Sequence, residues 1–254
     1  MKKEALLLGI ISLVTLDSCS THYQVADIWR TRIVIDNRYD RQPDEKAFSF
    51  LAPYKHQVDS IMGPKVGVTA RYMSAKRPEG TLSNLLPDIL MWAAKDYGEH
   101  PDFGIYNMGG IRADLPSGDV TYGDVLDVAP FENKIAFVTL NGTEVLELFS
   151  EIAANYGECV SHGVNLVINR KGKLVSATLN GEAIDPQRDY RITTIDYLLG
   201  GSDRMSTFKK GRKVNSPQEK KNNTRFLIID YFREKQAKGE MVDAQIEGRI
   251  KLED

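Results

Sequence analysis

Cysteine and histidine are scarce in these 254 residues, with two of the first and four of the second. Cys19 and Cys159 are too few for the disulfide framework of a small secreted scaffold. His22, His56, His100 and His162 are dispersed, and His100 and His162 read as surface or turn residues. A basic excess is lacking as well: 33 Lys and Arg face 35 Asp and Glu, for a net charge of −2 and a pI near 6.1. Such a balance argues against a polyanion-binding surface, so no nucleic-acid polymer is expected as a partner. The densest basic run, Lys209, Lys210, Arg212 and Lys213, followed by Lys220, Lys221 and Arg225, reads as a solvated face. Only one long apolar run is present, Ala5 to Leu16, too short to span a bilayer. What is there is a chain with 42% hydrophobic residues, enough to bury a sizeable core.

The apolar run follows Lys2 and Lys3 and reads as a secretory signal peptide. It ends in Leu16-Asp17-Ser18-Cys19, which resembles the lipobox of bacterial lipoproteins, with Asp17 an unusual occupant. That resemblance implies lipidation at Cys19, a signal peptide over 1–19, a tether over 20–43 and a domain over 44–254. It also implies a membrane partner through the lipid anchor, at the periplasmic face of a Gram-negative outer membrane. Cys159 is then left as a buried small hydrophobe.

Along the domain, spacings of three and four between Asp44 and Met62 predict an amphipathic helix, and Lys65 to Tyr72 alternates as a strand. A second helix is predicted from Thr81 or Leu82 to Tyr97; a start a few residues later would suit Pro87, since proline is comfortable only in a first turn. Phe103 to Tyr106 is a short apolar strand running into the glycine loop Asn107 to Arg112. Lys134 to Leu140 reads as a strand, Asn141-Gly142 as a turn, and Thr143 as the cap of a helix. Three further strands are expected, over 163–168, 174–179 and 190–195, then a last helix around 226–232. Helices and strands interspersed with hairpin signals predict an α+β class, a single mixed-sheet domain with packed helices.

Four ordered motifs are more specific. Asn107-Met-Gly-Gly-Ile-Arg112, Gly118-Asp-Val-Thr121, Val128-Ala-Pro-Phe-Glu-Asn133 and Tyr197-Leu-Leu-Gly-Gly-Ser-Asp203 together resemble the C-terminal domain of the 5′-nucleotidase family. Thr139-Leu-Asn-Gly142, Ser161-His-Gly163 and, upstream, Glu79-Gly-Thr-Leu-Ser-Asn84 with Asp88 extend the likeness over roughly residues 65–208. The resemblance implies a nucleoside or nucleotide ligand held between two aromatic faces at Phe131 and Tyr197, where base stacking is worth about 1–3 kcal/mol per base. It implies ribose recognition by Asp203, whose carboxylate makes charge-assisted bonds to vicinal hydroxyls. It assigns Asn107 and Arg112 to the ligand's base or ribose and its phosphate side, and close backbone approach to Gly109 and Gly110. Where family members often carry an arginine before the helix-opening glutamate, this chain has Pro78, and the adjacent Arg77 is the candidate phosphate contact.

Full-length relatives join this domain to a metallophosphoesterase domain built on Asp-x-His, Gly-Asn-His and Gly-His-x-His motifs, none of which surrounds the four histidines. No cofactor is therefore expected on this chain, and divalent metals are expected on a partner catalytic domain. The leading expectation is the substrate-recognition half of a 5′-nucleotidase-type phosphohydrolase, a phosphoric monoester hydrolase by assembly with a separately encoded metallophosphatase. The alternative is a stand-alone periplasmic nucleoside- or nucleotide-binding lipoprotein without a catalytic role.

Overall fold

The computed structural model describes residues 23–39, 41 and 44–253. The expected signal peptide, Cys19 and His22 lie outside the described residues. The chain divides into two compact units, residues 1–50 and 51–254. Residues 23–35 carry no regular element, and the first helix, α1 (Glu45–Met62), is capped by Asp44, whose Oδ1 accepts from Lys46 N and Ala47 N at 2.9 and 3.0 Å. The apolar periodicity of α1 produces a helix, yet none of its residues is buried.

The core rests on a five-stranded sheet in the order β10 (Arg212–Asn215), β4 (Ile135–Asn141), β9 (Asp189–Ile195), β2 (Phe103–Tyr106), β5 (Cys159–Val160). The β2–β9 pair is parallel and the others antiparallel. A second sheet runs β11 (Ile250–Leu252), β6 (Val164–Ile168), β7 (Leu174–Leu179), β8 (Glu182–Ala183), with the β11–β6 pair parallel. A two-stranded ribbon pairs β1 (Lys65–Thr69) with β3 (Gly118–Thr121). The β4 run Ile-Ala-Phe-Val-Thr-Leu is buried on both faces, which is why it reads as continuous rather than alternating hydrophobicity. The class is α+β, with its strands distributed over three sheets. Between β7 and β8, Asn180 and Gly181 both adopt positive φ, 53° and 83°, as a two-residue primed turn requires.

Helix α2 (Thr81–Ala93) packs on β2, β5 and α6 (Thr224–Ala237), and a 3₁₀ turn over Ala94–Tyr97 completes the predicted segment. Pro87 lies inside α2, not in its first turn. Proline lacks the N–H that would bond the Ser83 carbonyl four residues back; the buried Arg249 packs one residue on, its Nη1 donating to the Asn84 carbonyl at 3.1 Å. Arg249 also forks onto Asp88 at 3.0 and 2.7 Å and donates to Val160 O at 2.8 Å. Glu79 accepts from Asn84 Nδ2 and from the backbone N–H groups of Glu247, Gly248 and Arg249. The Glu79, Asn84 and Asp88 motif is thus the clamp that holds the C-terminal strand to α2.

Two helices leave their strands through capping boxes, and the second corrects a local expectation. Thr121, at the end of β3, caps α3 (Tyr122–Val128) by accepting from Asp124 N at 3.2 Å, while Asp124 accepts from Thr121 N at 2.7 Å. Asn141-Gly142 is not a free turn and Thr143 is not the cap. Asn141 caps α4 (Gly142–Ala154): its side chain accepts from Glu144 N at 2.9 Å, and Glu144 Oε2 accepts from Asn141 N at 2.8 Å. A side-chain carbonyl three residues before a glutamate outcompetes a hydroxyl one residue before it.

Candidate functional site

Asn107 follows the end of β2 and precedes a 3₁₀ turn over Met108–Gly110 without capping it through its side chain. Its side chain is buried, and Nδ2 donates to Asp203 Oδ2 at 2.6 Å. The bond fixes the amide's orientation, because only the nitrogen can donate to a carboxylate, and it leaves Asn107 Oδ1 buried without a donor among the described residues. Gly110 is required beside it, since a Cβ there would run into Asn107 Oδ1.

Asp203 approaches from the loop after α5 (Asp196–Leu199). It and Arg204 both sit in the left-handed region, φ 53° and 62°, which costs a non-glycine residue free energy and marks an over-determined loop. Asn155, at the end of α4, holds this turn by donating to the Asp203 carbonyl at 2.9 Å. Tyr197 OH donates to Asp203 Oδ1 at 3.1 Å. Each carboxylate oxygen thus has one protein donor and retains acceptor capacity for a ligand.

The aromatic pair hangs from one carboxylate. Asp196 Oδ1 accepts from Lys134 N at 3.0 Å and from Tyr197 N at 2.8 Å, tying the Phe131 segment to the Tyr197 helix. Phe131 and Tyr197 remain 47% and 45% exposed, too open for core residues. With Asn107, Gly109, Gly110, Asn133 and Asp203 they line one cleft of about 150 Å³.

The glycine loop is braced from behind by Glu158. This carboxylate is buried, accepts from Met108 N at 2.7 Å, and pairs with an Arg77 guanidinium that also donates to Gly157 O at 2.8 Å. Burial pushes the Glu158 pKa up, with the Met108 N–H and Arg77 pulling against it. Burial likewise pushes the Cys159 thiol well up, consistent with its packing role beside the Met108 sulfur at 3.4 Å.

Six of the sequence-derived residues, Asn107, Gly109, Gly110, Phe131, Tyr197 and Asp203, therefore meet in one cleft. Arg77 does not line it; it faces an adjoining cleft of about 210 Å³ that shares Gly109 and Asp203 with the first. Arg112 lines neither cleft and makes no ion pair among the described residues. Its neighbours are engaged elsewhere: Asp114 accepts from Tyr72 OH, and Asp119 pairs with Lys65 at 2.6 Å. Sequence reasoning left Asn133 unassigned although it stands two residues past Phe131 in the same motif. Asp196, Asn155 and Glu158 carried no local signal, because each acts across the fold. Among the described residues no group of three or more His, Cys, Asp or Glu is placed to hold a metal ion, so these residues do not fit a dinuclear centre.

Comparison with known proteins gives the same frame. The family model for the 5′-nucleotidase C-terminal domain matches residues 63–210. The chain is 26% identical over 163 residues to Protein UshA of Escherichia coli, covering 63% of this chain and 30% of that protein. It is 27% identical over 239 residues to the trifunctional nucleotide phosphoesterase protein YfkN of Bacillus subtilis, covering 85% of this chain and 16% of that one. The fold superimposes on a 5′-nucleotidase precursor from Thermus thermophilus with a TM-score of 0.70 at 23% identity, over 82% of this chain and 43% of the other. The chain spans less than a third of the length of these curated relatives. With the motifs in order, the aromatic cleft assembled and the family model covering more than half of its length, the chain belongs to the 5′-nucleotidase C-terminal domain family.

Proposed function

We propose that this chain is the nucleoside-recognising half of a 5′-nucleotidase-type phosphohydrolase, presenting a nucleotide to a metallophosphatase carried on a separate polypeptide. The observation that carries the reading is the convergence of two half-exposed rings and a carboxylate with acceptor capacity left over on one cleft. Phe131 and Tyr197 would hold a base by its faces, and Asp203, oriented by Asn107 and Tyr197, would accept from the ribose hydroxyls. Asn133 would read the edge of the base. On the phosphate side, Arg112 is the stronger candidate because its guanidinium has no carboxylate partner among the described residues, whereas Arg77 is committed to Glu158. The chemistry of ester cleavage, a metal-activated water and stabilisation of the phosphoryl group, would be supplied by the partner's divalent ions. We further propose export and anchoring through a lipidated Cys19; intact-mass analysis of membrane-extracted protein would show a diacylglyceryl adduct on Cys19, and an unmodified Met1 would exclude it.

Calorimetric titration of the purified chain with adenosine tests the central claim. Saturable binding is expected, with Phe131→Ala weakening it by about 10- to 100-fold, the affinity equivalent of one stacked base. Absence of binding at millimolar adenosine, or indifference to the loss of Phe131, would overturn it.

A further inference from the structure

The basic residues between Lys210 and Arg225 divide into two groups that the sequence does not distinguish. Lys210 pairs with Glu147 at 2.5 Å, Arg212 with Glu144 and Asp189 at 3.0 and 3.2 Å, and Lys221 with Glu219 at 2.9 Å. Lys220 and Arg225 have no carboxylate partner among the described residues. They instead meet Lys134 around a cleft of about 460 Å³, which Glu132, Gln218, Asn223 and the rings of Tyr122 and Phe226 complete.

The position of this cleft follows from the aromatic site. In the stretch 131–134, Phe131 and Asn133 line the aromatic cleft, while Glu132 and Lys134 line the basic one. The two clefts therefore share the segment 131–134 as a common wall. The basic cleft is built rather than incidental. Arg225 is fixed by donating to Pro130 O at 2.5 Å, and the segment is pinned by Thr224 N donating to Asn133 O at 2.9 Å. Asn223 is only 4% exposed; its Oδ1 caps α6 by accepting from Arg225 N at 3.1 Å, and its Nδ2 donates to no described residue. That leaves a preorganised neutral donor on the cleft wall beside three cations, with Glu132 the one carboxylate lining it.

Three cations without a carboxylate partner among the described residues, two of them held by backbone carbonyls, and a fixed amide donor around one cleft are the chemistry of a tetrahedral oxyanion. We propose that the Lys134–Lys220–Arg225–Asn223 cleft is a phosphate-binding site, separate from the aromatic cleft and independent of whether that cleft takes a nucleoside. Its phosphate is either free orthophosphate or a phosphate of a nucleotide whose base occupies the neighbouring cleft.

The test is calorimetric titration of the full chain with orthophosphate at constant ionic strength, chloride serving as control, in wild type and in Lys134→Gln, Lys220→Gln and Lys220→Glu. Circular dichroism checks that each variant is folded, and the exposed Lys220 gives a variant with little to disturb. Saturable phosphate binding is expected, weakened roughly tenfold in each variant as befits loss of one charge-assisted contact. Adenosine affinity should not change. If adenosine 5′-monophosphate displaces orthophosphate, and loses affinity in the lysine variants where adenosine does not, the phosphate is the nucleotide's. If orthophosphate binds undisturbed in saturating nucleotide, it is the free ion. Phosphate binding that never saturates, or that ignores both lysines, overturns the proposal. Failure of adenosine to bind while the phosphate response stands would overturn only the nucleoside reading.

Discussion

Two polar networks in this domain, one around Arg249 and one around Asp203, are finished to different degrees. Around Arg249 the guanidinium is almost wholly buried and fully engaged: Asp88, Glu247 and the carbonyls of Asn84 and Val160 accept from it. Around Asp203 the network stops short. Asn107 Oδ1 is buried with no donor among the described residues, the carboxylate keeps acceptor capacity, and the two rings beside it are half exposed. A closed network fixes one chain segment against another, whereas an open one has room for a group the chain does not contain. The family motifs therefore fall into two kinds: Glu79, Asn84 and Asp88 serve the architecture, while Asn107, Phe131 and Asp203 face the cleft.

The largest expected effect comes from opening the closed network. Arg249→Leu leaves the buried carbonyls of Asn84 and Val160 without this donor and the part-exposed Asp88 and Glu247 carboxylates without their cation, and should cost about 2–5 kcal/mol in urea unfolding, with adenosine affinity of the folded fraction unchanged. A smaller loss would show that the clamp is dispensable. Next, Gly110→Ala brings a methyl onto Asn107 Oδ1 and should cost about 1–3 kcal/mol as overpacking. Unlike the Arg249 variant, it should also weaken adenosine, because Asn107 must move off Asp203; unchanged binding would mean that the bond does not orient the carboxylate.

The smallest effect concerns the brace behind the glycine loop. Burial raises the Glu158 pKa above its ordinary value of 4.5, so folding favours the protonated form. Its contribution is full below 4.5 and is lost as pH climbs through the raised folded-state value. Glu158→Gln keeps an acceptor for Met108 N and should abolish that part of the pH dependence, read as the difference between wild-type and variant stability curves. Parallel curves would show that Arg77 neutralises the burial penalty completely.

Much of the fold could be read before the structure. Hydrophobic patterning located α2, β6 and β9 by period and β4 by its continuous apolar run, and Asn180-Gly181 announced its turn, because these signals are local. Reading failed where two local signals competed, as at Asn141 and Thr143, and where packing overrode a local preference, as at Pro87 inside the buried α2. The cleft residues were found from ordered motifs, but Asn155, Glu158 and Asp196 were not, since each reaches its partner across 40 or more positions.

The sequence by itself determined which segments are strands and helices, and which residue types are available to face a nucleoside. Only the tertiary structure decided that Arg77 is held by Glu158 while Arg112 has no carboxylate partner among the described residues, and that Lys220 and Arg225 lack the carboxylates that neutralise Lys210 and Arg212. The reason is electrostatic: the availability of a charge depends on which opposite charge the fold brings within a few ångströms, and sequence separation says nothing about that distance.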